Sequence, residues 1–141
     1  MLKKLFILCF LPITLCTNAY AAATVEAISG YVIDGDTFAA TVKLENDVRI
    51  SVRVRILGID APEIHGECES EIELAQQARD KLAQLLPEGS VIHLSEIKDD
   101  KYLGRIDANV KLPDGRDVGA TMVKEKLARK YDGKKRRGWC D

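Results

Sequence analysis

Between residues 49 and 56 the chain alternates strictly: Ile50, Val52, Val54 and Ile56 interleave with Arg49, Ser51, Arg53 and Arg55. A period of two predicts a strand from about Val48 to Leu57, with one face for a core and an arginine-rich face toward solvent or a site. Pro62 closes this run, because it has no ladder donor and biases Ala61 toward extended backbone. Upstream, Val25, Ala27, Tyr31-Val32-Ile33 and Phe38 supply the strands of a hairpin over Thr24 to Thr41, turning at Asp34-Gly35. Downstream the period becomes helical. Leu74, Ala75, Ala78, Leu82, Leu85 and Leu86 share one face, Ser70 and Glu73 have the form of a capping box, and Pro87-Glu88-Gly89 stops the helix. Ser90 to Ile97 and Ile106 to Leu112 read as strands around a turn-rich segment. Pro113-Asp114-Gly115 is a further turn, and Val118, Met122, Val123 and Leu127 predict a short second helix. The order predicts an α+β domain, mainly β: a small barrel with helices packed beneath it.

The first residues stand apart from this pattern. Lys3 and Lys4 precede an apolar run from Leu5 to Leu15, and Ala19-Tyr20-Ala21-Ala22-Ala23 follows. This is the form of a secretory signal peptide, with cleavage after Ala21 or, preferably, Ala23. The apolar run is short for a membrane span, and Ile13-Thr14-Leu15 lacks the small residues that lipoprotein processing at Cys16 needs. The expected division is therefore a leader over 1–23 and one domain over 24–141, with the product exported to a periplasm or the medium. A retained anchor is the alternative reading.

Export changes how the cysteines read. Cys9 and Cys16 leave with the leader, so Cys68 and Cys140 remain, and an even pair in an oxidising compartment reads as a disulfide. A metal site built on His65 and Cys68 is the alternative. The whole chain has 21 basic and 22 acidic residues and a formal net charge of −1, which is not the balance of a protein that coats nucleic acid. The charge is uneven, however. Lys124, Lys126, Arg129, Lys130, Lys134, Lys135, Arg136 and Arg137 crowd the last stretch against Glu125, Asp132 and Asp141. That patch suits either a phosphate-facing surface or a solvated tail.

Asp36 and Asp60 lie in different segments, each beside a sharp change of chain direction, and Ala61 offers a backbone carbonyl. Hard oxygen donors of this kind suit calcium, and no His/Cys set suits zinc or iron. Arg55 and Arg105 are forked cations able to grip a phosphate. Glu63 is placed to take a proton from a water at such a metal. Together these parts suit phosphodiester hydrolysis. A salt-bridged structural corner is the plainer reading of the same residues.

Three segments carry a resemblance: Asp34-Gly35-Asp36-Thr37, then Arg55 through Asp60-Ala61-Pro62-Glu63, then Asp100-Lys101-Tyr102 with Gly104-Arg105. In order and spacing the chain resembles the staphylococcal nuclease (thermonuclease) family over nearly all of residues 24–141. The resemblance implies an oligonucleotide/oligosaccharide-binding (OB) fold, a five-stranded barrel with two to three helices. It implies a calcium-dependent endonuclease acting on DNA and RNA, preferring single-stranded or locally open substrate, cutting the 5′ P–O bond and leaving 3′-phosphates. Carried over by position, Asp36, Asp60 and the Ala61 carbonyl are calcium ligands. Arg55 and Arg105 are the phosphate-binding arginines and Glu63 is the general base. Lys101 is a phosphate contact, and Tyr131 stands for an aromatic that packs on the nucleotide. Leu103 departs from the family's pattern as an extra residue, and the segment after Glu63 is shorter. A monomer is expected. The reading from another class is a non-catalytic OB module that binds nucleic acid or protein; such modules lose the acids or arginines, and all five are present here.

Overall fold

Residues 23–140 are described by the structure, a computed structural model. The leader expected over 1–23 lies outside them, Ala23 excepted. Among the described residues, seven strands and two α-helices follow in the order β1 (Val25–Val32), β2 (Thr37–Lys43), β3 (Arg49–Ile56), β4 (Ile59–Asp60), α1 (Glu69–Leu85), β5 (Val91–Asp99), β6 (Arg105–Lys111), α2 (Val118–Lys124) and β7 (Arg129–Lys130), with a short 3-10 turn over Glu45–Asp47 between β2 and β3. Strands β1, β2, β3, β6 and β5 close a five-stranded barrel in that spatial order, an OB-type architecture. The β3–β6 pair is parallel and the other barrel pairs are antiparallel. Bulges in β1 between Ser29 and Val32, and in β5 between Ser95 and Lys98, bend those strands as closure requires.

Inward residues of every barrel strand meet α1 and α2 in one core, where Phe38, Val54, Ile56, Leu82, Leu86, Ile92, Leu94, Val110, Val118 and Met122 are fully buried. Each such side chain is worth roughly 1.5–3 kcal/mol relative to exposure. The alternation in β3 is only half used. Val54 and Ile56 enter the core, while Ile50 is 40% exposed, because the first half of β3 runs on past the Arg53–Ile56 stretch that pairs with β6.

Helix α1 begins two residues earlier than expected. Cys68 is the N-cap and makes no side-chain capping bond, so Ser70 and Glu73 do not form the predicted box. Glu71 does the work instead: buried at the third helical position, it accepts the backbone N–H groups of Glu63 at 3.2 Å and Glu67 at 3.0 Å. A charged side chain that satisfies two loop donors is more valuable buried than a surface box, and it pins the segment after Pro62 to the helix.

Cys68 and Cys140 are joined by a disulfide across a sequence separation of 72. The metal alternative for Cys68 therefore lapses, since both thiols are consumed. Among the described residues the tail from Tyr131 to Cys140 has no helix; it is held by this bond and by a two-residue pairing of β4 with β7 that period counting did not anticipate.

One glycine couples the core to the loop that matters below. Gly35 is buried between α1 and the chain at Ala61, and a Cβ there would sit 2.6 Å from the Ala78 Cβ and 2.8 Å from the Ala61 Cβ. Gly35→Ala is expected to destabilise the protein by about 1–3 kcal/mol through overpacking. Urea unfolding of the two proteins checks this, and an unchanged midpoint contradicts the wedge.

Candidate functional site

The loop between β1 and β2 is closed by the Ile33 and Asp34 N–H groups, both donating to the Thr37 carbonyl at 2.9 and 3.2 Å. Its Asp36 N–H donates to Asp34 Oδ1 at 3.1 Å, and the Asp36 carbonyl accepts from Ile56 N at 2.8 Å. Asp36 is thus fixed at the end of β3. Its carboxylate accepts from Thr37 Oγ1 at 2.8 Å and from the Ala61 N–H at 3.0 Å, with Arg55 Nη2 at 3.5 Å. Arg55 reaches it because Thr37 and Arg55 are cross-strand partners.

Asp60 is 1% exposed and ends β4, opposite Arg129 of β7. Arg129 places Nε and Nη2 on Asp60 Oδ2 at 3.2 and 3.1 Å. Oδ1 points the other way. No hydrogen bond reaches it among the described residues, although Arg136 Nε lies against it as an ion pair at 2.5 Å. Arg136 continues across the site, with Nη2 on the Ala61 carbonyl at 3.1 Å and Nη1 on Glu63 Oε1 at 2.5 Å. Burial disfavours its charge, but Glu63 and Asp60 outweigh that and hold its pKa above the ordinary arginine value.

Arg105 starts β6, beside Arg53 of β3, and donates from Nε to Asp100 at 2.8 Å with its guanidinium 4.4 Å from the centre of the Tyr102 ring. The extra Leu103 is accommodated as an exposed loop tip, with Gly104 at φ +75°, so Arg105 still enters the groove. Lys101 is exposed, with its ammonium 5.0 Å from the centre of the same ring. Tyr131 is anchored by its N–H on the Gly58 carbonyl at 2.9 Å, and Arg55 lies 5.8 Å from the ring centre.

Asp36, Arg55, Glu63, Lys101, Arg105 and Tyr131 therefore line one open groove of about 790 Å³, together with Asp34 and Arg136. Asp60 and Ala61 are not on its surface; they lie beneath Arg136. Sequence reasoning passed over several residues that shape this place. Asp34 is pushed up to about 6, by burial first and then by the charge of Asp36. Asp100 orients Arg105, and Glu71 holds the Glu63 backbone. Arg129 and Arg136 were visible only as two charges in a basic tail. Asp34 was open to discovery, as a second acid two positions before Asp36 in the same turn; the long-range pairings had no local signal.

A family model described as staphylococcal nuclease homologue matches residues 53–138, the span that carries Arg55, Asp60, Glu63, Arg105 and Arg136. The chain belongs to the staphylococcal nuclease family. It is also similar to an Escherichia coli protein described as an uncharacterized endonuclease, at 32% identity over 101 residues, or 72% of this chain and 58% of that relative. The chain thus spans under two thirds of the relative's length.

Within this family frame the oxygen set can be tested for a hard cation. Asp60 Oδ1 and the Ala61 carbonyl face the same Arg136 guanidinium, the Asp36 carboxylate is tied to the Ala61 N–H, and Asp60 Oδ1 is buried without a hydrogen bond among the described residues. These features fit a divalent cation with oxygen ligands.

The Asp100–Arg105 pair gives a pH signature. Burial pushes the Asp100 carboxyl up, but the Arg105 side chain and the Tyr102 N–H outweigh it and hold the carboxyl at about 2. An unfolded aspartate titrates near 3.9. The pair's stabilisation is therefore complete above about pH 4 and lost as pH falls toward about 2. Asp100→Asn is expected to flatten that part of the acid limb in thermal melts, and an identical limb in both proteins contradicts the pairing.

Proposed function

We propose that the chain is an exported, calcium-dependent endonuclease that hydrolyses phosphodiester bonds of DNA and RNA with little sequence preference. The observation that carries this reading is the convergence of Asp36, Arg55, Glu63 and Arg105 on one groove, with the buried Asp60 tied to it through Arg136. Family membership and the endonuclease description of the E. coli relative support it. The acting unit is a monomeric domain over 24–141, released by cleavage of a leader over 1–23 to a periplasm or the medium.

Arg55 and Arg105 lie on neighbouring strands and present guanidinium forks to the same groove, which suits two oxygens of one phosphate. Tyr131 offers a ring to an adjacent base or sugar, a grip indifferent to sequence that favours single-stranded or locally open substrate. Lys101 stands at the rim for a neighbouring phosphate. Asp36, Asp60 and the Ala61 carbonyl would hold the calcium ion, whose chemistry when bound is positive charge against phosphate oxygens and a more acidic water. Glu63 takes the proton from the attacking water, the new P–O bond forms, and the bond to the 5′ oxygen breaks, leaving a 3′-phosphate and a 5′-hydroxyl that takes its proton from solvent. Charge growing on the phosphate is met by both arginines. Asp100 keeps the Arg105 side chain aimed inward, so Arg105 is positioned before substrate arrives.

Purified protein is expected to cut single-stranded DNA with calcium and to stop with a chelator. Glu63→Gln is expected to lower the rate by about 10²–10⁴-fold, the usual weight of a general base. Unchanged cleavage by that variant removes Glu63 as the base. Tight binding of DNA with no cutting under any condition replaces the enzyme with a non-catalytic OB module.

A further inference from the structure

The atoms beneath the groove are already engaged by a cation that belongs to the chain. Arg136 touches Asp60 Oδ1, the Ala61 carbonyl and Glu63 Oε1 with three different nitrogens, at 2.5, 3.1 and 2.5 Å. Two of those acceptors are proposed calcium ligands and the third is the proposed base. A guanidinium and a divalent ion cannot both occupy Asp60 Oδ1, since each needs direct contact and they repel.

The remaining contacts leave this role to Arg136. Asp60 Oδ2 is taken by Arg129, and Asp36 is served by Thr37 and the Ala61 N–H. Oδ1 is the carboxylate oxygen that Arg129 leaves available. The main chain around Arg136 is pinned on both sides. Tyr131 is bonded to Gly58 before it; after it the Arg137 and Gly138 carbonyls accept from Arg129, Trp139 stacks on Arg129 at 4.1 Å, and Cys140 is joined to Cys68. The Arg136 side chain is different. It is 40% exposed and reaches the site from the solvent side, so it can swing out while its backbone stays.

We infer that Arg136 sets the site's affinity for its cation: it competes with the divalent ion for Asp60 and Ala61, and its departure frees Glu63 at the same time. This rests on the proposed metal site and extends it, because one side chain then couples cation binding to exposure of the base. With Arg136 seated, Glu63 Oε1 is ion-paired to the guanidinium. The apparent affinity is reduced by the fraction of molecules in which Arg136 is away, so a closed form of about nine-tenths weakens binding about tenfold.

Calorimetric titration of calcium into the substrate-free protein tests the inference without any assay of cleavage. Arg136→Gln is expected to bind calcium about tenfold more tightly than the wild type or better. Arg137→Gln, which removes the adjacent exposed charge whose side chain makes none of these contacts, is expected to stay within about twofold, since an exposed charge is screened by solvent and salt. Arg136→Lys keeps the charge but not the fork, and is expected to bind more tightly than the wild type. Equal or weaker binding by Arg136→Gln, with the wild type still binding, overturns this inference and leaves the metal site standing. No binding by any of the proteins overturns both. The wild type supplies an independent readout should the variants fold poorly: the Arg136 Nε–H resonance is expected to shift on saturation with calcium. A resonance that stays fixed while calcium binds overturns the competition.

Discussion

A carboxylate that is 1% exposed has to be compensated, and much of the molecule follows from Asp60. Leaving an ionised group in a dry interior without partners costs several kcal/mol. The compensation comes from Arg129 and Arg136, at the far end of the chain. Meeting that need brings the tail back across the end of β3, pairs β7 with β4, and sets Trp139 on the Arg129 guanidinium. The Cys68–Cys140 bond then holds the tail where the arginines require it, in place of any closing helix among the described residues. Gly35 provides the matching constraint from below, letting the Asp34–Asp36 loop press against Ala61 and α1.

This arrangement accounts for a chain with net charge −1 that nevertheless presents a groove suited to phosphate. Overall charge is a poor guide when cations are placed individually. Arg55 and Arg105 are presented by adjacent strands, and each is steadied by an acid, Asp36 and Asp100 respectively. The acids anchor the arginines, and acidic side chains slightly outnumber basic ones along the groove, so in the proposed function a bound divalent ion would make it more attractive to a phosphate. Glu63, half exposed at the rim, is held by Arg136.

The strands and helices were legible because period and punctuation agreed: the alternation through Val54 and Ile56, the Asp34-Gly35 turn, and the Pro87-Glu88-Gly89 stop each act over a few residues. The catalytic candidates were legible as motifs, and their convergence on one groove was not, since it depends on the parallel register of β3 with β6. The capping box at Ser70 failed for a physical reason, because Glu71 was drawn inward by the unsatisfied N–H groups of Glu63 and Glu67. Arg129 and Arg136 could not be read at all beyond their charge. Their partner lies 69 residues away from Arg129, and no local pattern records which of eight basic side chains will find it.

A crystal structure of the protein grown with calcium bears most directly on the central claim that Asp36, Asp60 and the Ala61 carbonyl form a cation site held in reserve by Arg136. One calcium ion is expected at about 2.3–2.6 Å from oxygens of those three residues, with the Arg136 guanidinium withdrawn from Asp60 and Glu63. Calcium bound elsewhere, or Arg136 still seated on Asp60 with the ion absent at saturating concentration, would contradict it.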